Sequence, residues 1–453
     1  MADCVRPTTY DHGYDAPMGR GGLEGGGASQ SVVRHLGVGA MGARRNAGMN
    51  AEIAVGLASG LRGMPVWPLA AALAVQTLAT MAQFSVPAAA PQIARDLGVP
   101  GTLSGMFVSI VYTVGIGSAV LSPGFVHRYG AVRVSQVVLL AVLGMLLAST
   151  GGTVASLAAG AVVLGLAYGA IAPSGTHLLV PQTPKSVFNL VMSLRQIGVP
   201  LGGVLGALIV PPIAVAANWR VAMLLQMVPV LLLLVLLEVP RRRWDADRDP
   251  HRRLWSDVLP RQIALLRQNR MMRRLSIASF VYSGAQLSFV AFMTVQLTAV
   301  VRLGLVRAGF ALALYQIAGS VSRPVWGWVA DRYLSPNAML VGLGLGTAAV
   351  ALAAAHLGPG WPWAAIAGLA LLGGATSAGY TGLVYAEYAR LGGAQGTEAT
   401  GLGTAMAFAG VTVFPSAFGA AVTALGGYAI PYYGLAVMAA LAAVQLCAPR
   451  SAE

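Results

Sequence analysis

The chain has 453 residues, and its composition is that of a membrane protein, because 56% of the residues are hydrophobic and only 10% are charged. Soluble proteins carry about 25% charged residues, so the composition excludes an ordinary soluble enzyme or binding domain. The formal net charge is +14. A basic chain can bind nucleic acid, but no soluble stretch here is long enough to present a basic face, which excludes that class too.

The first 63 residues differ from the rest of the chain. Segments such as GRGGLEGGGASQS are rich in glycine and have no hydrophobic period. This composition predicts a disordered N-terminal tail over residues 1–63. The tail lacks the charged-then-apolar pattern of a signal peptide. Met64 directly precedes the first apolar stretch, so translation could also start near that residue.

Twelve apolar stretches follow, each about the length of a membrane span. A helix needs about 20 mostly apolar residues to cross a bilayer core about 30 Å thick. The stretches are continuous Leu, Ala, Val and Gly runs without apolar–polar alternation, which predicts helices. The predicted spans are residues 65–90, 104–125, 131–151, 154–180, 186–211, 218–238, 275–299, 306–328, 337–356, 362–385, 399–422 and 427–447.

A hydrophilic break at residues 239–274 divides the spans six and six. The sequence therefore predicts an all-α integral membrane protein with an N-terminal six-helix bundle at 64–238 and a C-terminal six-helix bundle at 275–448. The break is a basic linker between them, and residues 449–453 are a short tail. Helical membrane proteins built from two such halves are usually secondary transporters.

The positive charges indicate the orientation in the membrane. The central break contains eleven arginines against four aspartates. Cytoplasmic loops are enriched in Lys and Arg, so we expect a cytoplasmic linker and, with an even number of spans, two cytoplasmic termini. This topology predicts a multi-pass protein of the inner (plasma) membrane. The arginines are also suited to contact the anionic headgroups of the lipid bilayer.

The sequence has no motif of an enzyme or of an ATP-driven pump. Lys185, the only lysine, does not follow a glycine-rich phosphate loop, and neither H-E-x-x-H nor G-x-S-x-G occurs. The two cysteines, Cys4 and Cys447, imply no disulfide framework, and we expect no metal and no cofactor. The central break is too short for a folded sensor domain. The expected protein is a gradient-driven transporter.

The two halves contain an internal repeat at an offset of 204 residues. One copy is GMFVSIVYTVGIGSAVLSPGFVHRYG and the other is GFALALYQIAGSVSRPVWGWVADRYL. Each copy covers the second span of its half and ends at a short basic turn. The identical pairs include Gly105/Gly309, Ser118/Ser322, Arg128/Arg332 and Tyr129/Tyr333.

These turns resemble a loop motif of the major facilitator superfamily, G-x-x-x-D-R-x-G. GWVADRY at 327–333 is similar to that motif, PGFVHRYGAVR at 123–133 looks like its partner in the first half, and NWRVAMLL at 218–225 resembles the entry into the sixth helix. The resemblance covers about residues 65–447. It implies two pseudo-symmetric six-helix bundles and alternating access. The chain departs from the motifs at His127 (normally Asp), Pro123 and Leu334 (normally Gly) and Ala161 (often Arg).

Two arginines lie deep in the predicted spans. Arg195 is roughly 13 Å from the start of the fifth span, and Arg323 is roughly 12 Å from Asp331, at 1.5 Å per residue. No Asp or Glu lies equally deep, and charges at this depth mark functional sites. A guanidinium fork matches a carboxylate, so we expect both arginines to bind an anionic substrate. Alternatively, Arg323 tethers the loop network and Arg195 caps carbonyls near Pro200.

The segment around Arg323 carries a second resemblance. SRPVWGWVAD at 322–331 looks like the eighth helix of monocarboxylate transporters and oxalate–formate exchangers, where an Arg at this place engages a carboxylate. The resemblance implies that role for Arg323. Monocarboxylate transporters also have an Asp one turn earlier, where this chain has Gly319. The resemblance therefore does not extend to their route of proton coupling.

Polar side chains follow one face of several spans that line the central cavity in the superfamily. We expect them to contact substrate; the alternative is hydrogen bonding between helices, which uses the same residue types. His177 in the fourth span could titrate near neutral pH, although a lone His near a helix end is more often structural. The polar residues are Gln76, Thr80, Gln83, Tyr168, Tyr282, Gln286, Thr376 and Tyr380.

Charges at the loops predict two contacts between the halves. In the outward-open state of the superfamily, each of these loops packs on the start of a helix in the other half. This arrangement would pair Arg128 with Glu398 and Asp331 with Lys185, beside the motif residues His127 and Arg332. Two pairs of opposite sign would favour closure on the cytoplasmic side. The alternative is that these are ordinary loop charges.

The sequence predicts a secondary active transporter that moves a small organic anion, a monocarboxylate, by alternating access. H⁺ is the candidate coupling ion, and we expect a monomer. The alternative function is an efflux antiporter for amphipathic, drug-like compounds. Such a pump is expected to have a deep acid in its first half, and the predicted spans contain none.

Overall fold

The computed structural model describes residues 64–98, 103–252, 254 and 258–447. These residues form helices joined by short turns, and they include no β-strand. The predicted all-α class is therefore confirmed for the described part of the chain. Both predicted tails lie outside it.

The N-terminal half begins with a long helix and continues in segments that are separated by turns of one to eight residues. Helices lie at each of the six predicted spans, with outer ends that differ by up to five residues, but the fourth and fifth spans are interrupted and α2 was not predicted. The helices are α1 (Val66–Ala88), α2 (Ala90–Leu97), α3 (Leu103–Tyr129), α4 (Ala131–Ser149), α5 (Val154–Tyr168), α6 (Ile171–Leu179), α7 (Phe188–Arg195), α8 (Gly198–Ala216) and α9 (Trp219–Leu236).

The linker contributes two short helices, α10 (Glu238–Trp244) and α11 (Val258–Gln268). The first helix of the C-terminal half starts five residues before the predicted boundary at 275, because Asn269 caps it by accepting a hydrogen bond from the Met272 amide at 3.0 Å. The C-terminal helices are α12 (Arg270–Ala299), α13 (Leu305–Arg332), α14 (Pro336–Ala355), α15 (Trp363–Gly373), α16 (Thr381–Gly392), α17 (Gly396–Leu425) and α18 (Ala429–Cys447).

Ten helical stretches of the described residues are long and apolar enough to cross a membrane. One of them, Trp363–Leu425, is 63 residues long, which is enough for two crossings. The ten do not include α13, which contains four charged residues. The structure thus has the multi-span helical architecture that the sequence predicted, while the count of twelve stays a prediction.

Each half has its own apolar core. Trp219 of α9 is fully buried in the N-terminal core, and Phe289 of α12 and Tyr432 of α18 are buried in the C-terminal core. Small residues bring helices together inside a bundle: a side chain at Gly202 of α8 would collide with the backbone of α1 at Thr77. A third, smaller buried cluster joins residues of both halves, among them Val191 of α7 and Tyr385 of α16.

The bundles meet at two places: α17 packs on α3 and α6, and α7 packs on α13 and α16. The described residues between α9 and α12 lie against one end of both bundles, which we call the linker side. At that end a side chain at Gly401 of α17 would contact the Ala119 carbonyl of α3 at 2.6 Å. A side chain at Gly327 of α13 would contact the Asn189 carbonyl of α7 at 2.7 Å. The two bundles are thus in close contact on the linker side.

Candidate functional site

Three helical spans are interrupted near the buried arginines. The α5–α6 break follows Tyr168, the α7–α8 break lies at Gln196 and Ile197, and α15 is followed by a π-helical turn, Gly374–Ala378. An interrupted helix leaves backbone carbonyls without their usual partners. Inside a membrane, other groups of the protein must donate to those carbonyls.

Arg195 binds the start of α6, the helix that follows the first of these breaks. Its side chain is 1% exposed, and Nη1 donates to the carbonyl oxygens of Ile171 at 3.4 Å and Ala172 at 3.0 Å. The guanidinium carbon lies 5.6 Å from the ring centre of Tyr385 in the other bundle. No hydrogen-bond partner of Nε is found among the described residues. Arg195 therefore caps carbonyls, as the alternative predicted, but those of the fourth span rather than those near Pro200.

Arg323 joins the other two breaks across the bundle interface. Its side chain is 3% exposed. Nε donates to the Ala378 carbonyl oxygen of the π-helical turn at 3.1 Å, and Nη1 donates to the Gln196 carbonyl oxygen at 2.6 Å. The second bond crosses from the C-terminal to the N-terminal bundle. Arg323 thus holds the two halves together far from the loop it was alternatively expected to tether.

The two guanidinium groups meet at Gln196. Arg195 Nη2 donates to its side-chain oxygen at 3.1 Å, and Arg323 donates to its backbone oxygen. Within the described ranges, no carboxylate forms an ion pair with either arginine. The buried carboxylates of the described chain are Asp245, Glu387 and Glu398, and each has partners on the linker side. Two buried positive charges therefore have only neutral partners at the centre of the interface.

Gly319 lies one turn before Arg323, beside the π-helical turn. A Cβ at this position would be 2.7 Å from Ala378 Cβ and 3.3 Å from the Gly374 carbonyl oxygen. The site has no room for a carboxylate side chain. The close packing of α13 on the π-helical turn therefore leaves room for Gly319 but not for the Asp that monocarboxylate transporters have at this place.

The polar stripe of the first span lies at the bundle interior. Gln76 Nε2 donates to Thr80 Oγ1 at 3.3 Å, and Thr80 Oγ1 is 3.1 Å from the Tyr168 hydroxyl. The Gln83 side chain is fully buried, and neither amide atom has a partner of standard geometry among the described residues, although it lies beside the Tyr112 hydroxyl. Gln83 is therefore the member of this stripe that still has free hydrogen-bonding capacity.

Some polar residues of the seventh and tenth spans bond within their own bundle, and Tyr380 lies near Arg323. The Tyr282 hydroxyl donates to the Leu340 carbonyl of α14 at 3.2 Å, so this side chain bonds between helices of its own bundle, as the packing alternative predicted. Its ring lies 5.4 Å from that of Tyr380, which is buried near Arg323. Gln286 is half-buried, and Thr376 donates to the Leu372 carbonyl of its own helix at 2.8 Å.

Three aromatic residues that the sequence did not single out lie at the bundle interface, and one of them contacts an arginine. Tyr385 faces Arg195, and Phe408 of α17 lies 4.9 Å from Tyr112 and 5.8 Å from Tyr168, measured between ring centres. Tyr112 and Tyr168 also contact each other edge to face, at 6.1 Å. We call Tyr112, Tyr168 and Phe408 the aromatic cluster; both bundles contribute to it. Aromatic side chains in apolar helices look like core residues, and nothing in the sequence distinguishes these.

The first loop contact on the linker side differs from the predicted pair. The buried Glu398 carboxylate is bound through Oε2 by His127 at 3.2 Å and through Oε1 by Arg252 at 2.7 Å, with Arg261 at 3.7 Å. The predicted partner Arg128 points to the linker instead, where Nη1 donates to the Arg252 carbonyl at 3.4 Å. The Arg128–Glu398 pair was wrong because successive residues of a helix point about 100° apart, so only His127 faces α17.

The second loop contact is also not an ion pair. Asp331 Oδ1 accepts from the backbone and side-chain nitrogens of Asn189 at 3.1 and 2.7 Å, and Oδ2 accepts from the Leu190 amide at 2.9 Å. Asp331 therefore caps the first turn of α7 in the other bundle, where unpaired amides favour a carboxylate. The predicted pairing with Lys185 was wrong: Lys185 is exposed and precedes the cap, and Arg332 is exposed at the end of α13.

Comparison with known proteins identifies the architecture. The sequence matches the family model of the Major Facilitator Superfamily over residues 72–397. The chain belongs to this superfamily. It is therefore a multi-pass membrane transporter and not an enzyme.

One relative of this facilitator is the 4-hydroxybenzoate transporter PcaK of Pseudomonas aeruginosa, which is 26% identical over 276 residues. The match covers 54% of this chain and 61% of that protein. Among solved structures, the transporter FucP in the outward conformation has a TM-score of 0.67 at 17% identity, covering 84% of this chain and 97% of that one. The human organic anion transporter MFSD10 has a TM-score of 0.67 at 14% identity, covering 84% and 99%. At these identities the structural similarity shows the fold alone.

A carboxylate from the linker caps the helix that follows the first loop motif. Asp245 accepts hydrogen bonds from the amides of Val132 at 2.8 Å and Arg133 at 3.1 Å, at the start of α4. Gly130, with φ of 95°, allows this approach, because a side chain there would collide with Asp245. Burial raises the pKa of Asp245, although the two backbone hydrogen bonds act in the opposite direction.

Proposed function

We propose that this facilitator is a secondary active transporter of small organic anions, and that a carboxylate group of the substrate binds to Arg323 and Arg195. In this proposal the chain crosses the inner membrane twelve times with both termini in the cytoplasm, so the linker side is the cytoplasmic side. The carrier alternates between states open to either side.

The observation that carries this proposal is the uncompensated charge at the centre of the interface. Arg195 and Arg323 are buried and donate only to neutral oxygens of the described residues. A buried charge without a counter-ion is costly, and the cost is relieved when an anion binds. Arg195 Nε has no partner in the described ranges and is available as a donor. A planar guanidinium fork favours a carboxylate over a spherical anion.

The substrate's apolar part would fit the aromatic cluster. Tyr385 contacts Arg195 and lies close to Tyr112 and Tyr168, which connects the arginines with the cluster. Aromatic rings prefer offset or edge-to-face contacts with one another, so Tyr112, Tyr168 and Phe408 would favour a substrate with a ring. The distant relationship to a 4-hydroxybenzoate transporter supports an aromatic carboxylate. The buried amide of Gln83 offers a donor and an acceptor for a further polar group.

Uptake into proteoliposomes tests the proposal. We expect the purified protein to accumulate labelled benzoate, 4-hydroxybenzoate or lactate and not neutral benzamide. Arg323→Gln should lower the rate at a subsaturating concentration at least about 30-fold, because losing a charge-assisted hydrogen bond costs about 2 kcal/mol. Arg323→Lys, which keeps the charge but not the fork, should show a similar defect.

The matched control for this experiment is Arg307→Gln, which removes an exposed arginine from the same helix and should leave uptake unchanged. Wild-type rates in both the Arg323→Gln and Arg195→Gln variants would show that neither side chain binds the transported carboxylate. Transport of benzamide as fast as benzoate would show that the substrate is not selected for its charge.

A further inference from the structure

The linker is an integral part of the contact between the bundles on the linker side. Its Asp249 amide donates to the His127 carbonyl of α3 at 2.8 Å, and Arg252 binds Glu398 of α17. Gln262 of α11 then donates to the Val120 carbonyl of α3 at 3.0 Å and to the Glu398 carbonyl at 3.3 Å. One segment of chain therefore bridges the N-terminal and C-terminal bundles.

Two histidines lie inside this contact, one on each of two helices. His127 of α3 is 3.2 Å from Glu398, and His177 of α6 is 2.9 Å from Asp247 of the linker. Their rings meet edge to face, with centres 4.9 Å apart. His177 Nδ1 is also 3.0 Å from the Thr397 hydroxyl of α17. We call His127, His177, Asp247 and Glu398 the histidine cluster.

The two histidines of the cluster lie between two carboxylates, one of which also binds arginines. Arg252 and Arg261 lie on the Oε1 side of Glu398, while His127 lies on the Oε2 side. Asp247 lies on the side of His177 away from Glu398. Arg128 points away, to a linker carbonyl. Each histidine thus has one carboxylate of its own, and a proton on either ring would meet a negative charge within ion-pair distance.

We propose that the histidine cluster is a proton-binding site that holds the cytoplasmic side of the carrier closed. The idea rests on the alternating access of the proposed function, but not on which solute is carried. Opening the linker side must pull α17 away from α3 and α6. That movement separates Glu398 from His127 and Thr397 from His177. A proton on His127 turns the first of these contacts into an ion pair, so the proton opposes opening.

The direction of the effect follows from linkage. A proton that stabilises the closed state binds more tightly to the closed state than to the open one. Lowering the pH on the cytoplasmic side therefore increases the closed population, and raising it releases the contact. Histidine is the side chain whose ordinary titration lies in the range of cytoplasmic pH. Acidification of the cytoplasm would then slow the carrier before an acidic solute accumulates further.

The distance between the bundles on the linker side tests the proposal without any transported solute. Spin labels at Ser186 and Ala394, both exposed and on opposite bundles, would report it once Cys4 and Cys447 are replaced by Ser. Between about pH 8 and about pH 5.5, where histidine titrates, we expect the closed-to-open ratio to rise at least about fivefold. His127→Gln keeps a hydrogen-bonding side chain without the charge and should lose most of that rise.

Two further variants keep the test decisive. His127→Arg places a permanent charge next to Glu398 and should hold the short distance at every pH. His251→Gln removes an exposed histidine of the same linker and should respond to pH as the wild type does. An unchanged pH response in His127→Gln, or no response in the wild type, would overturn the proposal. A protein that fails to take up carboxylates but keeps the pH response would refute the substrate assignment and leave the proton site standing.

Discussion

The centre of the bundle interface and its linker side contain the same kind of positive charge in opposite surroundings. At the centre, Arg195 and Arg323 donate to backbone carbonyls and to one amide oxygen of Gln196. On the linker side, Arg252 and His127 meet the buried carboxylate of Glu398. The linker side provides counter-ions for its positive charges, and the centre provides none within the described residues.

Under the proposed function, this difference corresponds to the two tasks of a carrier. A contact that only has to close and open again can use permanent partners from the same chain. A site that has to attract a solute must leave charge uncompensated, because an internal carboxylate would compete with the substrate. The comparison therefore predicts that a change of charge at the centre affects substrate uptake, whereas a change of charge on the linker side affects opening and closing.

The largest effect is expected from giving the centre a carboxylate of its own. Gln196→Glu changes shape very little and places a negative charge next to Arg195, whose Nη2 already donates to this side chain. The new pair should lower carboxylate uptake at least about 30-fold, since displacing it costs about 2 kcal/mol. Gln182→Glu adds the same charge at an exposed position of the linker side. If Gln196→Glu transports as well as this control, the centre does not need its uncompensated charge.

A smaller effect is expected from the aromatic cluster. Phe408→Leu keeps an apolar side chain but removes the ring that contacts both Tyr112 and Tyr168. An aromatic pair contributes about 1 kcal/mol beyond its buried area, so the apparent affinity for benzoate should fall about fivefold. Lactate has no ring, and competition by lactate should not change. Equal losses for both solutes would mean that the cluster only supports the packing of α3 and α17.

A still smaller effect is expected from the second contact on the linker side. Asp331→Asn keeps one acceptor for the amides of α7 but removes the charge. Charge at a helix start contributes about 0.3–1 kcal/mol, so the linker side should open about threefold more often in the spin-label measurement. A shift in the opposite direction would show that the Asp331 cap does not favour closure.

The smallest effect is expected at Lys185, which the sequence would have paired with Asp331. The side chain is exposed, and Asp331 already has three nitrogen donors from Asn189 and Leu190. Lys185→Gln should change neither the distance distribution nor uptake by more than about 1.5-fold, as expected of a solvated charge. An effect as large as that of Asp331→Asn would show that Lys185 does interact with Asp331.

Much of the architecture could be predicted because it depends on local composition. Long apolar runs predicted the helices, and the positions of Arg195 and Arg323 inside those runs predicted that both are buried. Contacts that depend on rotation about a helix axis could not be predicted in the same way. His127 was recognised as a departure from the loop motif, but its partner Glu398 was assigned to the neighbouring Arg128. The two residues are neighbours in sequence, but their side chains point about 100° apart around the helix axis.

The linker and the breaks were harder to predict for a different reason. The charge of residues 239–274 indicated orientation, but the capping role of Asp245 depends on how the linker folds back onto α4. The interruptions at the fourth and tenth spans lie inside continuous apolar runs, and glycines such as Gly169 and Gly379 were their only signal in the sequence. Arg195 donates to the first carbonyls after the fourth-span break, and Arg323 donates to a carbonyl at the end of the π-helical turn. Neither contact could be predicted without the positions of these interruptions.

Equilibrium binding to the purified carrier tests the central claim, that the buried arginine pair binds the anionic group of the substrate. Labelled benzoate would be displaced by unlabelled benzoate or by benzamide, which has nearly the same shape but no charge. The account predicts that benzoate competes at least about 30 times better than benzamide, and that Arg323→Gln abolishes this preference. Equal competition by the two compounds, or a preference that survives in both Arg323→Gln and Arg195→Gln, would contradict it.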